Sequence, residues 1–538
     1  MSMIKETRLL METLYKNFNK TSSSLIFKLE SLVKNLWELP KPRKVVIVGS
    51  GIGGIYTAAG MSKFGVKPII YEKDGTIGGR AASYNVRGFW FDQCPHMSFK
   101  LGPPLKPSET KVYIRDAYGI ERVPQVECKG MPMGIYYKGK LYPLAKVLPV
   151  SPEYDKEFTK KVYPYLSDSD VHKIEDMLKD AMVELDQKCT PDVITTYAYP
   201  NPKGMPPKSF KNWIIEKTDR ETILDYFTSI QKHYTQIQEY DHENLNMGVY
   251  LSFFATIMLT IGLMRFCYAY HPRYGGDAAE IMPAVEAIVG RGGEIHTSTL
   301  VKNVVIEKGK VKGVTIVEGD KEEFVKSDIV VVDVRPRIAV RMGLVPRQDL
   351  ETYDPATIES IKDIEKELWW EGGSVIWNIG LSKRVTDQEG DISFVDEQGH
   401  NLGCHLTKPT SAPPNKQQLC CYRGYSLREL YPNNKINLKL VTKTRDDFIK
   451  CATETYGKAF EENIEQEETH YFPESYGIYY GWCPESIVGK WKTPIEGLYW
   501  AGDEVEGQER GSVGGLFGNV VKSVGIVQDI TKQKVYQF

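Results

Sequence analysis

The apolar run Val45-Val46-Ile47-Val48 passes directly into Gly49-Ser50-Gly51-Ile52-Gly53-Gly54, and a helix-forming stretch from Ile55 to Phe64 follows. No other segment limits the fold so sharply. Four consecutive β-branched side chains suit a strand buried on both faces, and such strands lie in parallel sheets flanked by helices. Gly49, Gly51 and Gly54 fit the spacing G-x-G-x-x-G, with Gly53 in the same turn. Between a strand and a helix, the first glycine permits a tight turn, the second lets a pyrophosphate approach the backbone, and the third allows helix and strand to close up. The positive end of the helix then faces the phosphates. A second apolar strand, Pro68-Ile69-Ile70-Tyr71, ends at Glu72, 23 residues beyond Gly49, and Lys73 follows it. An acid at that point accepts hydrogen bonds from ribose hydroxyls and disfavours a 2′-phosphate. A glycine pattern alone is a weak sign, but strand, helix and terminal acid in order point to a dinucleotide site with Gly49, Gly51, Gly53, Gly54, Glu72 and Lys73 as its contacts.

A chain of 538 residues exceeds one simple core, so two sequential or interleaved domains are expected. Its 68 basic and 70 acidic side chains nearly balance, which removes any global field that would favour nucleic acid. Nine cysteines are scattered between Cys94 and Cys483 without a CxxC pair or a zinc-like spacing to histidine, so no metal site is indicated. With no signal peptide at Met1, those thiols are expected to be reduced, in a cytoplasmic compartment.

Two segments bear on membranes. In Ser24–Trp37 the residues Leu25, Ile26, Leu29, Leu32, Val33, Leu36 and Trp37 fall on one helical face, and the first 44 residues carry nine basic against four acidic side chains. Residues 1–40 therefore read as an amphipathic helical extension. It suits peripheral contact with a membrane surface, and equally packing on the body of the protein or on a second subunit of a homo-oligomer. The 21 residues from Asn244 to Met264 carry no charge, a length that meets the criterion for spanning a bilayer. Asn244, Asn246, Ser252, Thr256 and Thr260 within them favour a buried helix lining an apolar cavity instead.

Thr76-Ile77-Gly78-Gly79-Arg80-Ala81-Ala82-Ser83 resembles the glycine doublet plus arginine that follows the ribose-binding acid in the flavoprotein superfamily of amine oxidases, protoporphyrinogen oxidase and carotenoid desaturases. NAD dehydrogenases usually lack this element, so the resemblance implies FAD as the cofactor. Gly79 gives backbone freedom beside the phosphates, and Arg80 offers bidentate, charge-assisted hydrogen bonds. Phe91-Asp92-Gln93-Cys94-Pro95-His96 resembles the segment F-D-x-G-P-H that enters the flavin cavity in several of these families, with Cys94 where glycine is usual. Cys94 and His96 are thus the candidates for catalysis near the flavin, against the plainer reading of a packed thiol and a core imidazole. Pro272 to Val314, with a helix from about Ala278 to Val289, is similar to the corresponding stretch of phytoene-desaturase-type and retinol-saturase-type flavoproteins. In that resemblance Val301 contacts the adenine through its backbone. Leu498-Tyr499-Trp500-Ala501-Gly502-Asp503 resembles the superfamily's C-terminal FAD motif, with Gly502 and Asp503 near the ribityl and pyrophosphate groups. The last helix then starts in Gly514-Gly515-Leu516-Phe517-Gly518-Asn519.

The resemblance implies an α/β fold in which a Rossmann-like FAD-binding domain of the GR2 type is interleaved with an α+β substrate domain. Residues 41–99, 268–335 and 484–530 would form the first, and residues 100–267 and 336–483 the second. Three activities fit it. The foremost is an FAD-dependent oxidoreductase acting on carbon–carbon bonds of a largely apolar, isoprenoid-like substrate, by desaturation, saturation or isomerisation. A flavin amine or amino-acid oxidase is the second, and a non-catalytic lipid-binding escort like the GDP-dissociation inhibitors of this fold is the third.

Overall fold

The computed structural model describes residues 43–93, 98–100, 115–121, 123, 125–127, 133–147, 154–188, 210–227, 268–272, 276, 278–367, 372–387, 390–395, 401–406, 411–472, 490–502, 505 and 515–535. One sheet has five strands: β1 (Val45–Val48), β2 (Pro68–Tyr71), β3 (Glu294–His296), β4 (Ile329–Val332) and β5 (Leu498–Trp500), in the order β3-β2-β1-β4-β5. All pairings are parallel, with Val45 opposite both Pro68 and Ile329 and Val330 opposite Leu498. Both β1 and β4 are buried at every residue, as expected of strands covered on two faces.

Alternation along these strands sorts their side chains into two cores. Val45, Ile47, Ile329 and Val331 pack with Ile55, Ala58 and Met61 of α1 (Ile52–Lys63), Ile281, Ala284 and Ile288 of α2 (Ala278–Gly290), and Ile526, Val527 and Ile530 of α3 (Gly515–Thr531). Val46, Val48, Val330 and Val332 point the other way, onto Val304, Val311 and Val314 of an antiparallel meander (300–307, 310–318, 321–326) and onto Ala339 and Ile358 of the helices that follow it. Each such valine or isoleucine contributes on the order of 1.5–3 kcal/mol as an upper bound, so the central strands anchor the sheet. The helix expected to begin at Ile55 begins at Ile52, because Gly51 is its N-cap and Ile55 already donates to Gly51 O (2.9 Å). Gly53 and Gly54 thus lie inside its first turn.

A second sheet has seven strands in the order 464–472, 372–381, 417–426, 401–406, 390–395, 133–137, 140–143. Val375, Trp377, Ile379 and Leu381 bury one face of its second strand against Val441, Phe448 and Ala452 of helix Leu438–Tyr456. The other face of that strand carries Ile376, Asn378 and Gly380, and it receives the hairpin 83–86/89–92: a methyl group on Gly380 would stand 2.9 Å from the Phe89 ring. This hairpin directly follows the glycine doublet, so it links the two sheets in sequence and in space.

Among the described residues no helix is long and apolar enough to cross a membrane. Residues 1–40 and Asn244–Met264 lie outside the described residues.

Candidate functional site

Because β1 leads to β2 on one side and neighbours β4 on the other, the carboxyl ends of β1 and β4 flank a topological switch point, where open α/β sheets bind ligands. The glycine turn lies there. Gly49 has φ of 93° and follows β1, and its N–H donates to Tyr71 O at the end of β2 (2.9 Å). Gly51 caps α1 with no side chain. A methyl group on Gly54 would stand 2.6 Å from Gly49 O, and one on Gly53 would stand 2.8 Å from Gly502 N. Gly502, with φ of 101°, comes just after β5, so two strand ends, those of β1 and β5, bring glycine backbone to one cradle.

Glu72 is buried at 6 % exposure and closes the turn from the β2 side. Its carboxylate accepts from Ser50 N (2.8 Å), Ser50 Oγ (2.7 Å) and Asp74 N (2.9 Å), while Gly78 N donates to Ser50 Oγ (3.2 Å). The acid expected to meet a ribose therefore also stitches the glycine turn to the doublet. Gly78 and Gly79 both have positive φ, 116° and 54°, as a tight backbone reversal requires, and a methyl on Gly79 would lie 3.5 Å from Gly51 Cα. Arg80, exposed on the short turn Gly79–Ala81, thus sits one residue from the cradle. Lys73 is exposed and pairs with Asp74 at 3.6 Å, pointing its ammonium to solvent. Val301 is buried two residues after Thr299, whose N–H donates to Glu72 O (2.8 Å). That bond holds the start of the meander beside the acid.

The last helix is docked by contacts at two levels: Ser523 Oγ donates to Gly53 O (3.1 Å), and a methyl on Gly60 would stand 2.7 Å from Val527. The order of these contacts means that α3 and α1 run the same way, so Gly515 begins about 12 Å beyond the glycine turn at 1.5 Å per residue. Cys94, His96 and Asp503 lie outside the described residues.

One residue of the cradle escapes the motifs. Asp333 follows β4, and its carboxylate reaches over the turn: Oδ2 lies 2.5 Å from where a Gly51 methyl would be, and Oδ1 lies 2.6 Å from the Gly53 position and 3.2 Å from the Gly502 position. The signal that finds it is a charged residue directly after an all-valine strand end, Ile329-Val330-Val331-Val332-Asp333, in a strand beside β1.

The seven-stranded sheet contributes a polar cluster where the hairpin meets it. Asn378, fully buried, donates from Nδ2 to Tyr84 Oη (3.2 Å) and to Asp92 O (3.1 Å), and Tyr84 Oη is hydrogen-bonded to His470 Nε2. Burial pushes the Tyr84 phenol well above its ordinary range and pushes the His470 imidazole down, against the pull of nearby Glu468. Both side chains are therefore neutral near pH 7, and the Tyr84 phenol bridges Asn378 Nδ2 and the His470 ring. Among the described residues no group of three or more His, Cys, Asp or Glu side chains is gathered to hold a metal.

Residues 52–376, more than half of the chain, match the family described as flavin containing amine oxidoreductase. The chain belongs to that family. The family is named for flavin-containing oxidoreductases, and Gly51, Gly53 and Gly54, each with no room for a Cβ beside Asp333 or neighbouring backbone, bring bare backbone to the turn as an FAD diphosphate would require. FAD, when bound, supplies the transfer of electrons, and the chain's own groups hold it, orient the substrate and exclude water. Over 64 residues the chain is 42% identical to a phytoene desaturase of Phycomyces blakesleeanus, covering 12% of this chain and 11% of that one. Over 55 residues it is 38% identical to a Danio rerio protein named inactive all-trans-retinol 13,14-reductase, covering 10% of this chain and 9% of that one. The match thus spans about a tenth of the length of these curated relatives. Similar folds are those of cyclohexylamine oxidase from Brevibacterium oxydans (TM-score 0.58, 13% identity, 91% of this chain and 99% of that one) and of an oxidoreductase from Methanosarcina mazei (TM-score 0.56, 18% identity, 90% and 100%).

Proposed function

We propose that this oxidoreductase acts on carbon–carbon bonds of a largely apolar, isoprenoid-like substrate, by desaturation, saturation or isomerisation. The observation that carries this reading is the identity of 38–42% to proteins named for phytoene and retinol chemistry, confined to short stretches. The neutral state of Tyr84 and His470 on the hairpin-facing side of the substrate sheet agrees with it, since a polyene or isoprenoid alcohol offers no charge to pair. Anaerobic mixing of the FAD-loaded protein with candidate polyenes, retinoids and their dihydro forms tests it. We expect a substrate to bleach the oxidised flavin absorbance, or a product to restore it after chemical reduction. If no apolar member of the panel changes the spectrum in either direction, the reading fails.

A second reading, amine oxidation, rests on the family's character and on Glu468, a carboxylate close enough to act on the Tyr84 phenol and suited to an ammonium. Bleaching by amines with release of hydrogen peroxide in air would favour it over the first.

A further inference from the structure

Asp333 occupies the place that matters most for cofactor loading. Its N–H donates to Val48 O (2.8 Å), which fixes the start of its side chain across from the end of β1. From there the carboxylate extends over the glycine turn, bounded by the Cβ positions of Gly51, Gly53, Gly54 and Gly502 at 2.5–3.2 Å. Those glycines leave backbone open for an anion, and the anion already seated against it belongs to the chain. A dinucleotide diphosphate laid on the same turn brings about two negative charges toward this carboxylate. Like charges a few ångströms apart and shielded from water disfavour each other strongly.

We infer that Asp333 is the residue that sets FAD affinity in this chain: its carboxylate competes with the diphosphate for the glycine cradle, so that the cofactor binds more weakly than the cradle alone would allow. The inference rests on the FAD site assigned above and adds a determinant that the glycine motifs do not contain. Asp333→Asn keeps the shape and removes the charge. Asp333→Ser removes most of the side chain as well.

The test is titration of flavin-free protein with FAD, with ADP and with adenosine, read by calorimetry and by quenching of flavin fluorescence, for the natural chain, Asp333→Asn and Asp333→Ser. We expect Asp333→Asn to bind both FAD and ADP at least tenfold more tightly, with adenosine unchanged because it lacks the diphosphate. Asp333→Ser should show the same pattern, which keeps the comparison intact if one variant folds poorly. Unchanged or weaker FAD and ADP binding in both variants overturns the inference; weaker binding would make Asp333 an acceptor for cofactor hydroxyls. Tighter adenosine binding in parallel with FAD would overturn it too, since opening of space rather than removal of charge would then be the cause. If neither the natural chain nor the variants bind FAD or ADP, the cofactor site itself is misassigned and the inference falls with it. A natural chain that binds FAD while the variants gain nothing rejects the role of Asp333 alone.

Discussion

Gly51 and Gly54 are interchangeable letters in a motif, yet what confronts a side chain differs at each. At Gly54 the nearest obstacle is Gly49 O, a backbone atom 2.6 Å from the added carbon, held in place by the β1–β2 turn. At Gly51 it is the tip of the Asp333 side chain, 2.5 Å away, which can rotate. Gly54→Ala is therefore expected to destabilise the protein by about 1–3 kcal/mol, more than offsetting the roughly 1 kcal/mol by which alanine favours a helix. Gly51→Ala should unfold at nearly the natural urea midpoint, and its loss should show in FAD affinity. Equal midpoints for the two variants in urea melts of the flavin-free proteins would refute this distinction. The turn was readable because glycine spacing reports backbone space directly. Glu72 was readable as an acid at a strand end, but its three protein donors were not, since they come from Ser50 and Asp74, which carry no motif. Asp333 was hidden for a related reason: what brings it to Gly51 is the parallel pairing of β1 with β4, across more than 280 residues of chain.

At the level of elements, the docking of α3 on the sheet can be probed apart from the cofactor. Asp529 accepts from Tyr499 Oη on β5 (2.7 Å), from Lys492 Nζ (3.0 Å) and from Lys532 Nζ (2.9 Å). Burial alone would raise its pKa, but the hydrogen bonds from Lys532, Tyr499 and Lys492 outweigh it and hold the carboxyl at about 2, against an ordinary 3.8. A carboxyl depressed by folding contributes stability above its unfolded pKa and loses it as pH falls toward its folded one. Asp529→Asn should thus cost about 1 kcal/mol at pH 7, the exposure of both lysines having weakened their share. The gap between the urea midpoints of variant and natural chain should stay constant from pH 7 to 5 and narrow below pH 4. A gap independent of pH down to 3 would mean that the ionised form is not what holds the helix. The last helix was legible from its glycines and apolar spacing, and α2 from its position between Pro272 and the Gly292-Gly293 break; they sit on known faces because short connections leave few alternatives. The seven-stranded sheet was not legible: its strands come from residues 133–143 and 372–472, and non-local antiparallel pairing leaves no local mark on either segment.

For the molecule as a whole, the hairpin 83–92 follows the glycine doublet and packs on the seven-stranded sheet, and the Tyr84–His470–Asn378 cluster lies at that junction. The His470 ring is hydrogen-bonded to the Tyr84 phenol, and burial lowers its pKa below the ordinary 6.5. Folding therefore disfavours the protonated form, so this contribution to stability is present above pH 6.5 and is lost as pH falls through that value toward the folded pKa. Protonation would instead put a charge in a site that burial shields from water, beside the Tyr84 phenol. The natural protein should accordingly lose stability between pH 7 and 5, well before Asp529 begins to titrate, and the His470→Gln variant should lose less over that interval. Glu468 and Cys420 of the seven-stranded sheet and Asp92 of the hairpin act on Tyr84 and are unchanged in this comparison, so the difference between the two proteins isolates the imidazole. If the two urea-midpoint curves run parallel from pH 7 to 5, folding does not hold the His470 imidazole neutral. The junction would then be held by the Asn378 hydrogen bonds to Asp92 O and the Tyr84 phenol and by Phe89 against Gly380, with no share from a neutral His470.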